Sequence, residues 1–277
     1  MYNLPGGKPE GGAVVTVNSP TDQILVEVTE RVGWVVLNTP ERRNALTPEM
    51  MRAIPQVLDD LIGSAGARVI VFRGAGGRAF CAGADLSAVA DTPQSGDASS
   101  LDTHYEAMLA RVRTLPVPSI AMIEGACLGG GLALALATDL RYSTRDALVG
   151  VPAARLGMAY VDVDPLVAAV GYPRAAELLF TARKWSGEQA YAAGLVNAVV
   201  APGELLTTVQ DVAGSIARNA PLAIVATKRA LGESRKCAGD RDAEALAALA
   251  AQCRQSEDFA EGRRAFLDKR SPQFQGR

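Results

Sequence analysis

The chain has 277 residues, 48% apolar and 21% charged, with a formal net charge of −2. That length and apolar share allow one domain with a full core and room for a small appendage. The near-neutral balance gives no overall attraction to nucleic acid or to an anionic membrane surface, so neither is expected as a partner. Cys81, Cys127, Cys237 and Cys253 form no CxxC pair and His104 is the sole histidine, which argues against a zinc site and against a disulfide framework. The N-terminus lacks a basic segment followed by an apolar run, and no uncharged apolar stretch reaches the roughly 18 residues of a membrane span. No signal peptide is expected, and cytoplasmic residence is the default.

Residues 1–20, with Pro5, Gly6, Gly7, Gly11, Gly12 and Pro20, read as a flexible leader, and the folded chain is expected to begin near Thr21. Two β-rich runs, Ile24-Leu-Val-Glu-Val-Thr29 and Gly33-Trp-Val-Val-Leu-Asn38, flank a charged turn in the pattern of a hairpin. Thr47-Pro48-Glu49 supplies an N-cap, a first-turn proline and an early acid, and Met50, Met51, Ile54, Val57, Leu58 and Leu61 follow at helical spacing. This predicts a helix over 48–62, with Pro55 as a candidate kink.

Further along, residues 68–73 read as a buried strand, 101–114 as a helix, 118–123 as a strand and 132–137 as a short apolar helix. Strands alternating with helices indicate an α/β layered domain, with parallel pairing inferred from the usual handed crossover. From Ser186 onward the signals are mostly helical. Ser186 is placed to cap 187–193 with Gly194 just past its end, and further helices are expected around 203–218, 221–234 and 241–268. The resulting division is a leader (1–20), an α/β core (21–200) and a helical C-terminal region (201–277).

Glycine-rich turns carry the chemistry. Gly74-Ala75-Gly76-Gly77 after a strand has the look of a dinucleotide-binding turn, but it leads into Arg78-Ala79-Phe80-Cys81 with no capping signal and no third glycine at the fingerprint spacing. No Gly-Lys-Ser/Thr closes any glycine cluster, which excludes a P-loop. More specific is a set of segments in order: Leu37-Asn-Thr-Pro-Glu-Arg-Arg-Asn-Ala-Leu46, Phe80-Cys-Ala-Gly-Ala-Asp85, Gly125-Ala-Cys-Leu-Gly-Gly-Gly131 and Ala190-Tyr-Ala-Ala-Gly-Leu-Val-Asn197. Together they resemble the enoyl-CoA hydratase/isomerase (crotonase) family from about residue 21 to the C-terminus.

The resemblance implies a crotonase-like α/β spiral of ββα repeats, a helical C-terminal trimerisation region, and homotrimers or dimers of trimers. It also assigns an oxyanion hole to the backbone N–H groups of Ala82 and Gly130. Such fixed dipoles stabilise the negative charge a thioester carbonyl gains as its α-carbon becomes enolate-like, and the helix opened by Gly130 adds its N-terminal partial charge. By the same resemblance coenzyme A is held by Arg42, Arg43 and Ala45, by the backbone of Ala84, Asp85 and Leu86, and by Phe266 and Lys269 near the C-terminus, often from a neighbouring subunit. No metal and no redox cofactor is implied; coenzyme A enters as part of the substrate.

One departure changes the expected chemistry. The two glutamates that serve a hydratase as acid and base fall at Ala133 and Ala153, and methyl groups transfer no protons. At roughly 10²- to 10⁴-fold per lost group, ordinary enoyl-CoA hydration is not expected. Asp162, and after it Asp164, are the candidate bases; in an extended stretch, two residues apart, they point to one face. Tyr160 is a candidate donor to an enolate, read more simply as a packed tyrosine, and His104 as an incidental surface residue. Cys81 and Cys127 read as small packing residues beside the turns, and Asp139 as a local ion-pair partner. The leading function is therefore an acyl-CoA enzyme working through an enolate, by isomerase or other non-hydratase chemistry. The alternatives are a non-catalytic fatty acyl-CoA binding protein and an unrelated nucleotide-dependent enzyme.

Overall fold

A computed structural model of the chain describes residues 15–85 and 97–277. The predicted hairpin forms from β2 (Ile24–Thr29) and β3 (Val32–Leu37), paired antiparallel. Its two loop residues, Glu30 and Arg31, both take positive φ, 52° and 66°, the geometry whose twist matches right-handed strands. Ordered structure starts earlier than Thr21, because β1 (Val15–Thr16) pairs antiparallel with Glu27 and Val28. The last part of the expected leader is thus an edge strand of the sheet.

The chain then winds as a spiral in which each turn contributes one strand to each of two sheets. β4 (Val69–Gly74), β6 (Ser119–Ile123), β8 (Leu140–Thr144) and β11 (Ala198–Val200) join the hairpin in a seven-stranded sheet of order β1-β2-β3-β4-β6-β8-β11. Between them β5 (Ala79–Cys81), β7 (Ala126–Leu128), β9 (Leu148–Gly150) and β10 (Lys184–Ser186) form a second sheet of order β10-β9-β7-β5. Pairing from β3 through β11 is parallel in the large sheet, as the crossovers require. The turn after Gly74 runs into β5 and not into a helix, which removes the structural context a dinucleotide fingerprint needs.

Helix Pro48–Ile62 starts and stops where its caps and apolar spacing place it, and it continues through Pro55. Thr47 accepts a hydrogen bond from Met50 N at its N-terminus, and the buried face packs into the main core with Phe72, Phe80 and Cys81. Helix Leu205–Arg218 lays Leu205, Val209, Ala213 and Ala217 over Trp34, Val69, Val71 and Ile120 on the other face of the large sheet. It therefore shares a core with the α/β body. Helix Pro221–Ser234 is tied to the body by Lys228, whose Nζ donates to Val117 O and to Asp139 Oδ2 at 2.7 Å each, so Asp139 pairs across the fold and not locally; Glu233 is the residue this helix and helix Ala243–Gln255 bury. The single helix expected over 241–268 is two, Ala243–Gln255 and Glu257–Leu267, because Ser256 leaves helical geometry and caps the second through Phe259 N. Helices Asp164–Val170 and Tyr172–Thr181 add to the elements expected above.

Asn44 ties the early loop to the spiral. It is fully buried at φ 55°; its Oδ1 accepts from Thr39 N, and its Nδ2 donates to Ala75 O and Ala79 O. Replacing it with alanine strands those three groups and leaves a Cβ-bearing residue without the local bonds that favour left-handed geometry. Asn44→Ala is expected to lower unfolding free energy by about 3 kcal/mol, as measured by urea denaturation; a loss within the noise contradicts this role.

Candidate active site

The Phe80–Asp85 segment is held by backbone bonds from two directions. Leu46 N donates to Gly83 O at 2.8 Å, and Asp85 N to Leu46 O at 2.9 Å, a short parallel bridge between Leu46 and Ala84. Ala82 N donates to Arg43 O at 3.0 Å. That bond corrects the expected oxyanion pair, since the Ala82 N–H is already engaged inside the fold. Among the described residues the Ala84 N–H donates to no backbone carbonyl.

The second segment brings Gly130 to the same place. Gly129 is fixed by its own N–H on Gly150 O, and its carbonyl accepts from Ala133 N, starting helix Gly130–Ala137. As the first residue of that helix, Gly130 has an N–H beyond the reach of the intrahelical ladder. A Cβ added at Gly130 would lie 3.3 Å from both Ala84 N and Tyr105 Oη. One residue on, a Cβ at Gly131 would run into the Cys81 carbonyl, so only glycine lets the helix seat this closely on β5. Ala84 and Gly130 thus bring together two N–H groups that have no acceptor among the described residues, an arrangement suited to a developing oxyanion.

Around this pair, Ala133 is 1% exposed inside the helix and Ala153 opens the short 3-10 turn Ala153–Leu156. Asp162 forms an ion pair with Arg113, at the end of helix Asp97–Arg113, with both side chains 36% exposed. Asp164 does not join it. Val163 is helical (φ −84°, ψ −24°), so the stretch is not extended, and Asp164 is an exposed acid in the first turn of helix Asp164–Val170. There it complements the helix dipole.

Two tyrosines complete the surroundings. Burial, foremost, and then neighbouring groups including Asp162 push the phenols of Tyr105 and Tyr160 well above their ordinary range, with Arg113 opposing; both stay protonated at neutral pH. Tyr160 Oη is buried with no hydrogen-bond partner among the described residues. Tyr105 escaped the sequence reading, although its spacing to the buried Met108, Leu109 and Val112 marks it as facing inward on that helix. His104, its neighbour, is half-buried.

Of the residues assigned to coenzyme A, Arg42 pairs with Asp85 at 2.9 Å, which places the Arg42–Ala45 loop beside the Ala84–Asp85 backbone. Arg43 is exposed at φ 54° and Ala45 half-buried. Leu86 lies outside the described residues. Phe266 and Lys269 are exposed at the other end of the chain. Phe266 borders an apolar groove of about 460 Å³ with Leu222, Phe259, Leu267 and Phe274, whose lining includes none of the Arg42–Asp85 group. Within one chain the two sets form separate surfaces.

Comparison with known proteins matches residues 27–277 to the enoyl-CoA hydratase/isomerase family model. The enoyl-CoA hydratase EchA19 of Mycobacterium tuberculosis is 34% identical over 95% of this chain and 100% of its own length. A peroxisomal Delta(3,5)-Delta(2,4)-dienoyl-CoA isomerase of Arabidopsis thaliana is 31% identical over 88% of this chain and 92% of its own. The crystal structure of an enoyl-CoA hydratase/carnithine racemase from Magnetospirillum magneticum superposes with a TM-score of 0.87 at 31% identity, covering 94% of this chain and 97% of that one.

The thiols beside the turns are inert by the same geometry. Burial pushes Cys81 up to about 12 and Cys127 well above the ordinary thiol range, leaving almost no thiolate at pH 8. Thiol labelling of the native protein at pH 8 is expected to modify the exposed Cys237 first and to reach Cys81 and Cys127 only on unfolding; fast labelling of either contradicts their role as packing groups.

Proposed function

The chain belongs to the enoyl-CoA hydratase/isomerase family, and from that premise we propose that it acts on an acyl-CoA thioester whose carbonyl oxygen is received by the N–H groups of Ala84 and Gly130. The observation that carries this reading is the convergence of those two unpaired donors beside the opening of one helix. A thioester carbonyl bound there has its α-proton acidified, because the enolate formed on deprotonation is stabilised by dipoles already in position. Remote binding of the nucleotide part orients the acyl end; Arg42, Arg43, Ala45 and the Ala84–Asp85 backbone are the contacts proposed within the chain. Phe266 and Lys269 are proposed to reach a neighbouring subunit's ligand.

The chemistry favoured is proton movement and not hydration. Asp162 is the proposed base, held in orientation by Arg113, and it returns the proton it takes to another carbon of the same dienolate, giving a double-bond shift with no net change in composition. The side chains at Ala133 and Ala153 can neither activate water nor deliver a proton. Those two methyl groups also favour a second reading, a non-catalytic fatty acyl-CoA binding protein. No metal or redox group has a part in either proposal.

The exposed apolar side chains of the C-terminal region, Leu231 at 64%, Phe266 at 83% and Leu267 at 77%, support a homotrimer or a dimer of trimers. Sedimentation is expected to give a trimer or hexamer at micromolar concentration; a monomer there contradicts this assembly.

The catalytic reading is tested by incubating the protein with 2-enoyl- and 3-enoyl-CoA thioesters and separating the products. Isomer formation is expected, with hydration minor. Gly130→Ala, which crowds the Ala84 N–H, is expected to lower kcat/KM by about 10²- to 10³-fold, and Asp162→Asn by about 10²- to 10⁴-fold. Efficient hydration contradicts the assignment of chemistry, and tight binding without turnover favours the binding protein.

A further inference from the structure

Four buried side-chain atoms lack a hydrogen-bond partner among the described residues, Thr39 Oγ1, Arg73 Nε, Thr144 Oγ1 and Tyr160 Oη, and of these Tyr160 Oη is the one near the candidate site. Tyr160 Oη is closed off from solvent and makes no hydrogen bond among the described residues, a state native proteins seldom retain without a reason. A phenylalanine would fill the same space without stranding a hydroxyl. The ring packs against the same core as Tyr105 and Ala153. Tyr105, whose Oη lies beside Gly130, is near enough to Tyr160 for the Tyr160 phenol to disfavour its ionisation, and Asp162 acts on both. The stranded donor therefore lies near the tyrosine that flanks the Gly130 end of the oxyanion pair.

We propose that Tyr160 donates its hydroxyl hydrogen to an uncharged oxygen on the acyl chain, so that the substrate class is a keto- or hydroxy-substituted acyl-CoA thioester and not a plain hydrocarbon one. This rests on the acyl-CoA reading above. The phenol keeps its proton at neutral pH, so it is a donor throughout the working range. Asp162 beside it disfavours a second carboxylate, which points to a neutral oxygen. The hydroxyl is closed off from solvent, so the proposed contact requires the side chains around it to shift. A hydrocarbon chain arriving there leaves the donor unpaired in a dry site, whereas a keto or hydroxyl oxygen satisfies it.

The test is calorimetric binding of a length-matched set of acyl-CoA thioesters to the full chain and to Tyr160→Phe. The set contains saturated members, members with an oxo or hydroxy group at successive chain carbons, and members ending in a carboxylate. At least one oxo or hydroxy member is expected to bind wild type about tenfold more tightly than its saturated counterpart. In Tyr160→Phe that advantage disappears, saturated thioesters bind as before, and the melting temperature stays at or above that of wild type. Three results overturn the proposal: equal binding of saturated and oxygenated members, preference for the carboxylate series, or a preference that survives in Tyr160→Phe. The first of these leaves the acyl-CoA reading standing. Failure of folded wild type to bind any thioester removes both.

Discussion

The site depends on two peptide N–H groups that find no acceptor among the described residues. Native folds pair nearly all of their buried backbone donors, so leaving Ala84 and Gly130 open calls for other bonds to fix the backbone around them. The Leu46 bridge does so on one side, and the Ala82–Arg43 bond holds the preceding residue. On the other side, Gly129 is anchored on Gly150, and the glycine at 131 lets the helix seat against Cys81. Asn44 joins these parts, since it sets the loop that offers the Arg43 carbonyl and also grips Ala75 and Ala79, just ahead of Cys81. Preorganisation here is a property of backbone geometry, and a side-chain inventory alone would miss it.

Given that hole, the side chains around it decide which reaction follows. Ala133 and Ala153 contribute only packing, while Tyr105, Tyr160 and the Arg113–Asp162 pair supply the polar groups nearby. On the proposed reading the carboxylate held by Arg113 moves a proton between carbons, while the two phenols stay neutral.

How much of this was legible in the sequence follows from the range of the interactions involved. Helix 48–62 and the first hairpin were, because caps, a charged turn and apolar periodicity act within a few residues. The second sheet was not, since strands as short as Ala79–Cys81 and Ala126–Leu128 have no periodicity to show and exist only because the spiral stacks them. Likewise the choice between Ala82 and Ala84 as hole donor turns on a bond to Arg43, distant in sequence and invisible to a motif. Ser256 carried a readable cap signal that the apolar spacing on both sides obscured. Asp164 followed the same logic: a proline after it and an apolar run beyond are helix-start signals, and they place it at a helix end and not in the pocket.

The central claim is that Ala84 and Gly130 polarise a thioester carbonyl, and vibrational spectroscopy reads that directly. The carbonyl stretch of a saturated acyl-CoA labelled with ¹³C at the thioester carbon is to be compared free and bound, by isotope-edited infrared difference. A shift of the bound band to lower frequency, reduced in Gly130→Ala, is the predicted result. A bound carbonyl at the free frequency would contradict the account, because a thioester that binds without feeling the two N–H groups leaves the fold's open donors without the role assigned to them.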